Sequence, residues 1–209
     1  MIKCNVTVNG VISRAASMRT GKEGKAYISF AVKVNVSSKD GDSSKAVEVS
    51  VLQEGSSNEL ALYSSGSRVE LKGSLTFRKH ESNFYLNFHA DSVDFSPVNN
   101  SDSIAGSMEF KGTIGKQVDE KTDKKGRQYL IFSAFSTEKE GDTFEYTWVR
   151  FIRFAPEHEA FLIPKGKIHV NGTLEISIYQ DKVNLGCRVE EISEWVKQDT
   201  SKSNEEIPL

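Results

Sequence analysis

The residues best suited to chemistry are aromatic and basic side chains that alternate along one segment of the second half of the chain, TWVRFIRF (Thr147 to Phe154). Flat rings offer faces on which nucleic-acid bases stack, and guanidinium groups neutralise the phosphates between those bases. Stacking is worth about 1–3 kcal/mol per base and tolerates any base sequence. The pattern therefore suits a single-stranded polynucleotide and needs no readout of base edges.

Residues that could support catalysis are scattered along the chain. The four histidines, His80, His89, His158 and His169, belong to no HExxH motif and no Cys/His ligand set. The sequence also has no Walker-type glycine loop and no nucleophile elbow. We therefore expect a protein that is not an enzyme and that needs no metal and no cofactor.

Length and composition indicate one large domain or two small ones, since the chain has 209 residues of which 37% are hydrophobic. No apolar stretch approaches the ~18 residues of a membrane span, and MIKCNV at the start lacks the apolar core of a signal peptide. We expect a cytoplasmic protein with no membrane partner, in which Cys4 and Cys187 are reduced core thiols. The formal net charge of −2 means that any nucleic-acid site must be a local patch.

The two halves of the chain are copies of each other. The segment from Val8 to Lys33 aligns without a gap with the segment from Phe110 to Phe135, at an offset of 102 residues. Further on, SRVELKGSL (Ser67 to Leu75) aligns with GKIHVNGTL (Gly166 to Leu174) at an offset of 99 residues. Such self-similarity is typical of a tandem duplication.

The repeat sets the predicted domain boundaries. We expect domain one at 1–96, a flexible linker at 97–106 that is rich in turn formers, and domain two at 107–196. The last residues, 197–209, have no hydrophobic periodicity and are predicted to be a disordered tail that carries an interaction tip.

Each copy contains five segments in which apolar and polar residues alternate with a period of two, the pattern of half-buried strands. They are VTVNGVI, YISFAVKVNV, AVEVSVL, RVELKGSLTF and FYLNFHA in domain one, and MEFKGTI, YLIFSAF, FEYTWVRFIRF, KIHVNGTLEISIY and KVNLGCRVEEI in domain two. A short helix is predicted between the third and fourth strands of each copy. In SSNELALYSS, Ser56 and Glu59 have the spacing of a capping box, and in APEHEAFLIPKG, Pro156 can occupy the first helical position. We therefore predict an all-β protein of two tandem OB-folds, which are five-stranded Greek-key barrels. The glycines that follow strand starts fit the sharp bends that such a small barrel needs; they are Gly10, Gly73, Gly112 and Gly172.

With one face of each strand committed to a barrel core, the outer face must carry the function. We align Val49 and Val51 with Val149 and Phe151 as core residues, which places Trp148 and Arg150 outside. This outer face also includes His89, Tyr179 and Arg188. The candidate nucleic-acid-binding residues on the strands and on the loops between the first two strands are Arg14, Lys25, Tyr27, Lys33, Arg78, Tyr85, Lys116, Lys125, Arg127, Tyr129, Phe135, Tyr146, Trp148, Arg150 and Phe154.

The run from TWVRFIRF to KGKIHVNGTL resembles the strand, helix and KG-x-x-V-x-x-x-G-x-L pattern of bacterial and phage single-stranded DNA-binding proteins, and GSRVELKGSL in domain one has the same frame. The resemblance implies a protein that coats and protects single-stranded DNA during replication, recombination or repair. It also implies that Trp148 is the base-stacking tryptophan, Arg150 its neighbouring cation and Phe154 the following aromatic.

Domain one departs from this pattern, because Glu48, Ser50 and Leu52 stand near the corresponding positions. Either domain one binds DNA through other outer residues, or it serves partly in assembly. Most bacterial members of the family present four OB-folds, so two folds per chain imply a homodimer; a monomer is the open alternative.

The extreme C-terminus also resembles the family, whose acidic tip ends in Ile-Pro-Phe and docks onto replication and repair enzymes. The residues that match are Glu205, Glu206, Ile207, Pro208 and Leu209, with leucine in place of the aromatic residue. An apolar end that fills a pocket, a proline that limits conformations and carboxylates that meet a basic rim are suited to such docking.

Two other functions fit the same fold. The first is an OB-fold adaptor of a replication or conjugation apparatus, whose barrels bind protein rather than DNA. The second is binding of RNA or of an oligosaccharide. Loss of DNA binding on replacing Trp148 and Arg150 would exclude the adaptor, and competition between RNA and DNA oligonucleotides would test the second.

Overall fold

The computed structural model of the chain describes residues 1–21, 23–80, 83–140, 142–155 and 158–196. The predicted interaction tip, 205–209, lies outside these ranges. None of the helical segments within them combines the length and the apolar character that a membrane span requires.

The predicted strands are all present, and most of them are longer than the alternating segments that predicted them. In the described part of the chain the strands are β1 (Ile2–Thr20), β2 (Ala26–Ser37), β3 (Ser44–Glu54), β4 (Arg68–His80), β5 (Asn83–Asp94), β6 (Ser103–Thr122), β7 (Gln128–Glu140), β8 (Thr143–Arg153), β9 (Lys167–Tyr179) and β10 (Lys182–Glu194).

Strand pairing closes each half into a five-stranded barrel. In the first half the order is β1-β2-β3-β5-β4, and β4 returns to pair with β1. The second half repeats this order as β6-β7-β8-β10-β9, with β9 paired to β6. In both barrels the third and fifth strands pair in parallel and the other pairs are antiparallel. The structure thus confirms the prediction of two tandem OB-folds.

The period-two alternation builds the two cores because successive side chains of a strand point to opposite faces. In the first barrel, Phe30 and Val49 are fully buried, and in the second Phe110 and Phe151 are fully buried. Burial on this scale supplies the main driving force for folding, at roughly 25 cal/mol per Å² of apolar surface.

Glycine allows the fourth strand of each barrel to bend against the fifth. A Cβ atom at Gly73 would lie 2.1 Å from the carbonyl oxygen of His89, and one at Gly172 would lie 2.1 Å from the carbonyl oxygen of Arg188. A register shift adjoins each contact. Only a residue without a side chain permits this approach, as the predicted bends require.

The predicted helices are much reduced. In SSNELALYSS the chain forms a 3₁₀ helix, Ser57–Leu62, whose capping box joins Ser56 and Glu59 as predicted. In APEHEAFLIPKG the described residues form turns and no helix. Pro156, which was predicted to occupy the first helical position, lies outside the described residues.

The two cysteines are core residues as predicted. Cys4 and Cys187 are both free and 1% exposed. Burial raises the pKa of each thiol to about 12, so both are protonated at neutral pH.

The barrels are joined edge to edge through their first strands. β1 and β6 pair antiparallel from Ile2 with Phe110 to Asn9 with Ser103, so that all ten strands form a continuous sheet. Because β6 begins at Ser103, residues 103–106 of the predicted linker belong to this strand rather than to a flexible segment. The domain boundaries at 96 and 107 stay a prediction.

Asp102, the last residue before β6, attaches the connection to the first barrel. Its Oδ2 accepts hydrogen bonds from the backbone N–H of Asn35 at 2.9 Å and from Asn35 Nδ2 at 2.7 Å. Its Oδ1 accepts a hydrogen bond from Arg68 Nη2 at 2.9 Å, and the side chain is only 11% exposed. Burial would raise the pKa of Asp102, but these donors outweigh it and lower the pKa below its usual value.

Replacing Asp102 with alanine is expected to lower the free energy of unfolding at pH 7 by about 1.5–3 kcal/mol, the usual range for hydrogen bonds to a charged group. A carboxyl whose pKa is lowered by folding contributes stability above its ordinary value of 3.8 and loses it as the pH falls through the folded-state pKa. The difference between wild type and variant should therefore shrink in acid. Urea unfolding at pH 7 and pH 3 measures it, with Asp91→Ala at an exposed site as control; a difference that does not change with pH would contradict the assignment.

Candidate nucleic-acid interface

Trp148 and Arg150 project from the outer face of the second barrel. Trp148 is 52% exposed, whereas its neighbours along β8, Val149 and Phe151, are 1% and 0% exposed. The assignment of faces from the alternation is therefore confirmed. None of the candidate binding residues on the strands and loops is buried.

Three rings form what we call the tryptophan cluster, Phe135, Tyr146 and Trp148. Phe135 on β7 lies directly opposite Trp148 on β8, with 5.0 Å between ring centroids. The Phe135 ring also meets the Tyr146 ring edge-on at 5.5 Å. Because Tyr146 is 48% exposed and Trp148 52% exposed, the cluster presents ring faces to solvent.

Cations border the tryptophan cluster on one side. Trp148 packs over Gly115 of β6, and the two residues share a surface cavity of about 510 Å³ with Lys116, Ser133 and Arg150. Arg150 lies opposite Ser133 on the same outer face. A base stacked on Trp148 would therefore have two positive side chains near its phosphates.

A second group, the Phe154 cluster, lies just beyond the end of β8 and comprises Arg127, Tyr129, Phe154 and Arg188. The Tyr129 ring centroid is 5.5 Å from that of Phe154. The guanidinium carbons of Arg127 and Arg188 lie 5.7 Å and 5.9 Å from the Phe154 ring centroid, within cation–π range. Phe154 is 49% exposed, so this cluster also offers a ring to a base.

Both clusters lie along the outer face of β7 and β8, with Arg150 between them. We call this row, the tryptophan cluster, Arg150 and the Phe154 cluster, the aromatic stripe. At about 3.3 Å per residue it extends roughly 25 Å from Tyr146 to Phe154. An alternation of rings and guanidinium groups over this length matches the alternation of bases and phosphates in a single strand.

The hairpin between β6 and β7 fixes the position of Arg127. Asp123 accepts hydrogen bonds from the backbone N–H of Arg127 at 2.9 Å, from Arg127 Nε at 2.7 Å and from the backbone N–H of Lys125 at 2.8 Å. The backbone N–H of Arg127 is the main cause of the lowered pKa of Asp123. The turn is thus ordered, and Lys125 at its tip is exposed.

The first barrel has a different outer face. Tyr85 on β5 is 45% exposed and lies opposite Arg78 on β4. Tyr27 lies at the far end of β2 and meets the ring of His89 edge-on at 6.3 Å. The structure therefore does not bring the predicted aromatic residues of domain one together.

The predicted cations of domain one also differ from those of domain two. Glu48 of β3 lies opposite Lys33 on β2, and its carboxylate is 4.0 Å from the guanidinium of Arg14. Lys25, in the turn after β1, is exposed. An acid in the middle of this face offsets part of its positive charge, whereas the corresponding position in domain two is Trp148 in the alignment.

His169 is the histidine with a described polar contact to a carboxylate. His169 lies 3.1 Å from a carboxylate oxygen of Glu109, on strands that join the two barrels to each other rather than on the aromatic stripe. Within the described ranges, no three His, Cys, Asp or Glu side chains lie where they could hold a metal ion.

No protein-family model matches the chain, and no curated protein is similar to it in sequence. Among solved structures, the chain is similar to a deletion mutant of the single-stranded DNA binding protein from Thermus aquaticus, at a TM-score of 0.50 and 14% sequence identity, over 93% of this chain and 95% of that one. The chain shares its fold. The wild-type Thermus aquaticus protein gives a TM-score of 0.49 and 14% identity, over 95% of this chain and 96% of that one.

Arg188 is a candidate binding residue that sequence reasoning left out of the binding set. Its position after the buried Cys187 places it on the outer face, which the alternation predicted. Its contact with Phe154 depends on the parallel pairing of β8 and β10, in which Arg188 lies opposite Ile152. Pairing between strands so far apart in sequence leaves no local signal.

Proposed function

We propose that the protein binds single-stranded DNA and has no enzymatic activity of its own. The observation that carries this proposal is the aromatic stripe, in which exposed rings and guanidinium groups alternate along one open face of an OB-fold. The similarity in fold to a solved single-stranded DNA binding protein supports it. Because the stripe offers ring faces and charges, little preference among base sequences is expected.

The cellular role follows from this activity as part of the same proposal. The protein would coat and protect exposed single strands in the cytoplasm during replication, recombination or repair. It would recruit replication and repair proteins through the tip at 205–209. Two barrels per chain would make the four-barrel assembly a homodimer.

A separate role for the first barrel is favoured by one observation. Its outer face carries Glu48 where the second barrel carries Trp148. The guanidinium of Arg14 lies 4.0 Å from that carboxylate, and Lys33 occupies the position opposite Glu48 on β2. The surroundings of Glu48 suit contact with a protein better than contact with phosphates. The adaptor hypothesis therefore applies to this part of the first barrel rather than to the whole chain.

The proposal predicts salt-sensitive quenching of tryptophan fluorescence when the full chain is titrated with oligo-dT. Four cations of the stripe and its border, Lys116, Arg127, Arg150 and Arg188, would release counterions at about 0.7 per contact. The slope of log Kobs against log salt is then about −3, and affinity falls about 50-fold between 50 and 200 mM salt.

A labelled oligonucleotide that shows no binding at 50 mM salt would overturn the proposal. Competition with an RNA oligonucleotide of matched length tests the choice of polymer, since equal competition would contradict a preference for DNA. A neutral oligosaccharide should leave the bound fraction unchanged.

A further inference from the structure

A cleft of about 930 Å³ lies between the two barrels, and we call it the interfold cleft. One wall comes from β3 and β5 of the first barrel and includes Ser50 and Tyr85. The other wall comes from β8 and the start of β10 and includes Tyr146, Trp148 and Lys182. Because Tyr146 and Trp148 belong to the aromatic stripe, the stripe continues into this cleft instead of ending at the edge of the second barrel.

Positive charge predominates in the interfold cleft. Four cations, Arg14, Lys45, Lys79 and Lys182, line it against two acids, Glu48 and Asp181. Lys45 is bound by Asp181, through the carboxylate at 3.0 Å and the backbone oxygen at 2.8 Å. Lys79 and Lys182 also line the cleft, and among the described residues neither of them forms an ion pair with a carboxylate.

The walls of the cleft are held together at one side. The turn between β2 and β3 reaches the hairpin of β9 and β10, where Ser38 forms a β-bridge with Ile178. Lys39 Nζ lies 3.5 Å from the carboxylate of Glu175 in the same contact. Together with the pair of Lys45 and Asp181, these contacts set the width of the cleft independently of the β1–β6 joint.

The chemistry of the cleft selects its occupant. It combines three exposed rings, Tyr85, Tyr146 and Trp148, with unpaired ammonium groups. Rings and positive charges together bind the bases and the phosphates of a polynucleotide strand. Its volume lies at the upper end of the range for sites that bury a ligand of nucleotide size. An apolar peptide would leave the lysines without partners, so a phosphate-bearing strand fits better.

We propose that the interfold cleft is a nucleotide-binding site through which one DNA strand passes from the aromatic stripe to the first barrel. Lys79 and Lys182 contact its phosphates, and Tyr85 receives a base on the far side. The inference rests on the proposed function and adds to it, because it makes the two barrels of one chain bind a single continuous strand instead of two separate ones.

The test compares Lys79→Ala/Lys182→Ala with Lys3→Ala/Lys167→Ala in the full chain. The control removes the same charge from two exposed positions that do not line the cleft. Binding is measured with an oligo-dT of about 8 nucleotides, which one barrel can hold, and with one of about 30 nucleotides, which exceeds any single OB-fold site. Circular dichroism checks that both variants are folded.

For the long oligonucleotide, the cleft variant should reduce the magnitude of the salt slope by about 1.4 and weaken binding about tenfold at 0.15 M salt, from two lost phosphate contacts. Its affinity for the short oligonucleotide should equal that of wild type, and the control should match wild type at both lengths. Equal affinities of cleft variant and control for the long oligonucleotide would overturn the inference, and so would an equal loss at both lengths. Wild-type protein that binds neither length would instead overturn the proposed function.

Discussion

Trp148→Ala is expected to raise the Kd for oligo-dT between about 5-fold and about 150-fold, which corresponds to one lost stacking interaction of about 1–3 kcal/mol. The loss falls on binding and not on folding because the indole ring is 52% exposed and its cluster partner, Phe135, remains in place. Fluorescence anisotropy of a labelled oligonucleotide measures the Kd without depending on the tryptophan that is removed.

Two further variants test whether the loss of affinity comes from the aromatic ring at position 148. Trp148→Phe keeps a ring over Gly115 and should lose less affinity than Trp148→Ala. Trp195→Phe, which changes the other tryptophan of the chain, should leave the Kd unchanged. If Trp148→Ala combined with Arg150→Ala binds DNA like wild type, the assignment of the aromatic stripe is wrong; if the pair abolishes binding, a purely protein-binding adaptor is excluded.

Phe151→Ala should lower the free energy of unfolding by about 3–5 kcal/mol, the usual range for removing a fully buried phenylalanine. The ring is 0% exposed and has a neighbour on each side, Phe132 at 5.2 Å and Phe110 at 4.9 Å between centroids. Truncation removes both ring contacts and leaves a cavity in the centre of the second barrel. Urea unfolding followed by far-ultraviolet circular dichroism measures the loss.

The duplication offers a matched comparison, since Val51 aligns with Phe151 in the first barrel and is 1% exposed. Val51→Ala removes two carbons instead of six ring atoms and should cost about 2 kcal/mol. A Phe151→Ala variant with the unfolding midpoint of wild type would show that the ring does not fill the core as described.

Most of the fold was predictable because the barrel strands alternate with a strict period of two. The same alternation distinguished Trp148 from Val149, since a shift by one residue would have buried the tryptophan and exposed Phe151. The bends at Gly73 and Gly172 were predictable from the residue type alone. These features depend on residues that are close together in the sequence, so a single sequence is enough to predict them.

Features set by distant contacts were not predictable in the same way. The helix in SSNELALYSS has the capping box that its sequence predicts, yet only six residues become helical, as a 3₁₀ segment. The connection at 97–106 looked flexible from its turn formers, but Asp102 meets Arg68 across the fold and β6 begins directly afterwards. Likewise, the Phe154 cluster and the interfold cleft depend on strand pairs and turns that meet only in the folded chain.

The pairing of β1 with β6 is symmetric between the two copies of the repeat. The repeat offset of 102 makes Ile104 the counterpart of Ile2 and Phe110 the counterpart of Val8. Ile2 pairs with Phe110, Val8 pairs with Ile104, and Asn5 pairs with its own counterpart, Ser107. Each copy therefore uses the same edge in the same register, which is an isologous contact of the kind that relates the subunits of a two-fold dimer.

The chain thus has the geometry of such a dimer whose two subunits have been fused. Fusion turns the meeting of the two barrels into an intramolecular event, at an effective concentration that dilution of the protein does not lower. It also frees each copy to diverge, since a substitution in one barrel is no longer repeated in the other. Trp148, which is aligned with Glu48, is one result of this divergence. Only the second barrel carries the tryptophan cluster, and it is permanently attached to a partner whose outer face differs at the same position.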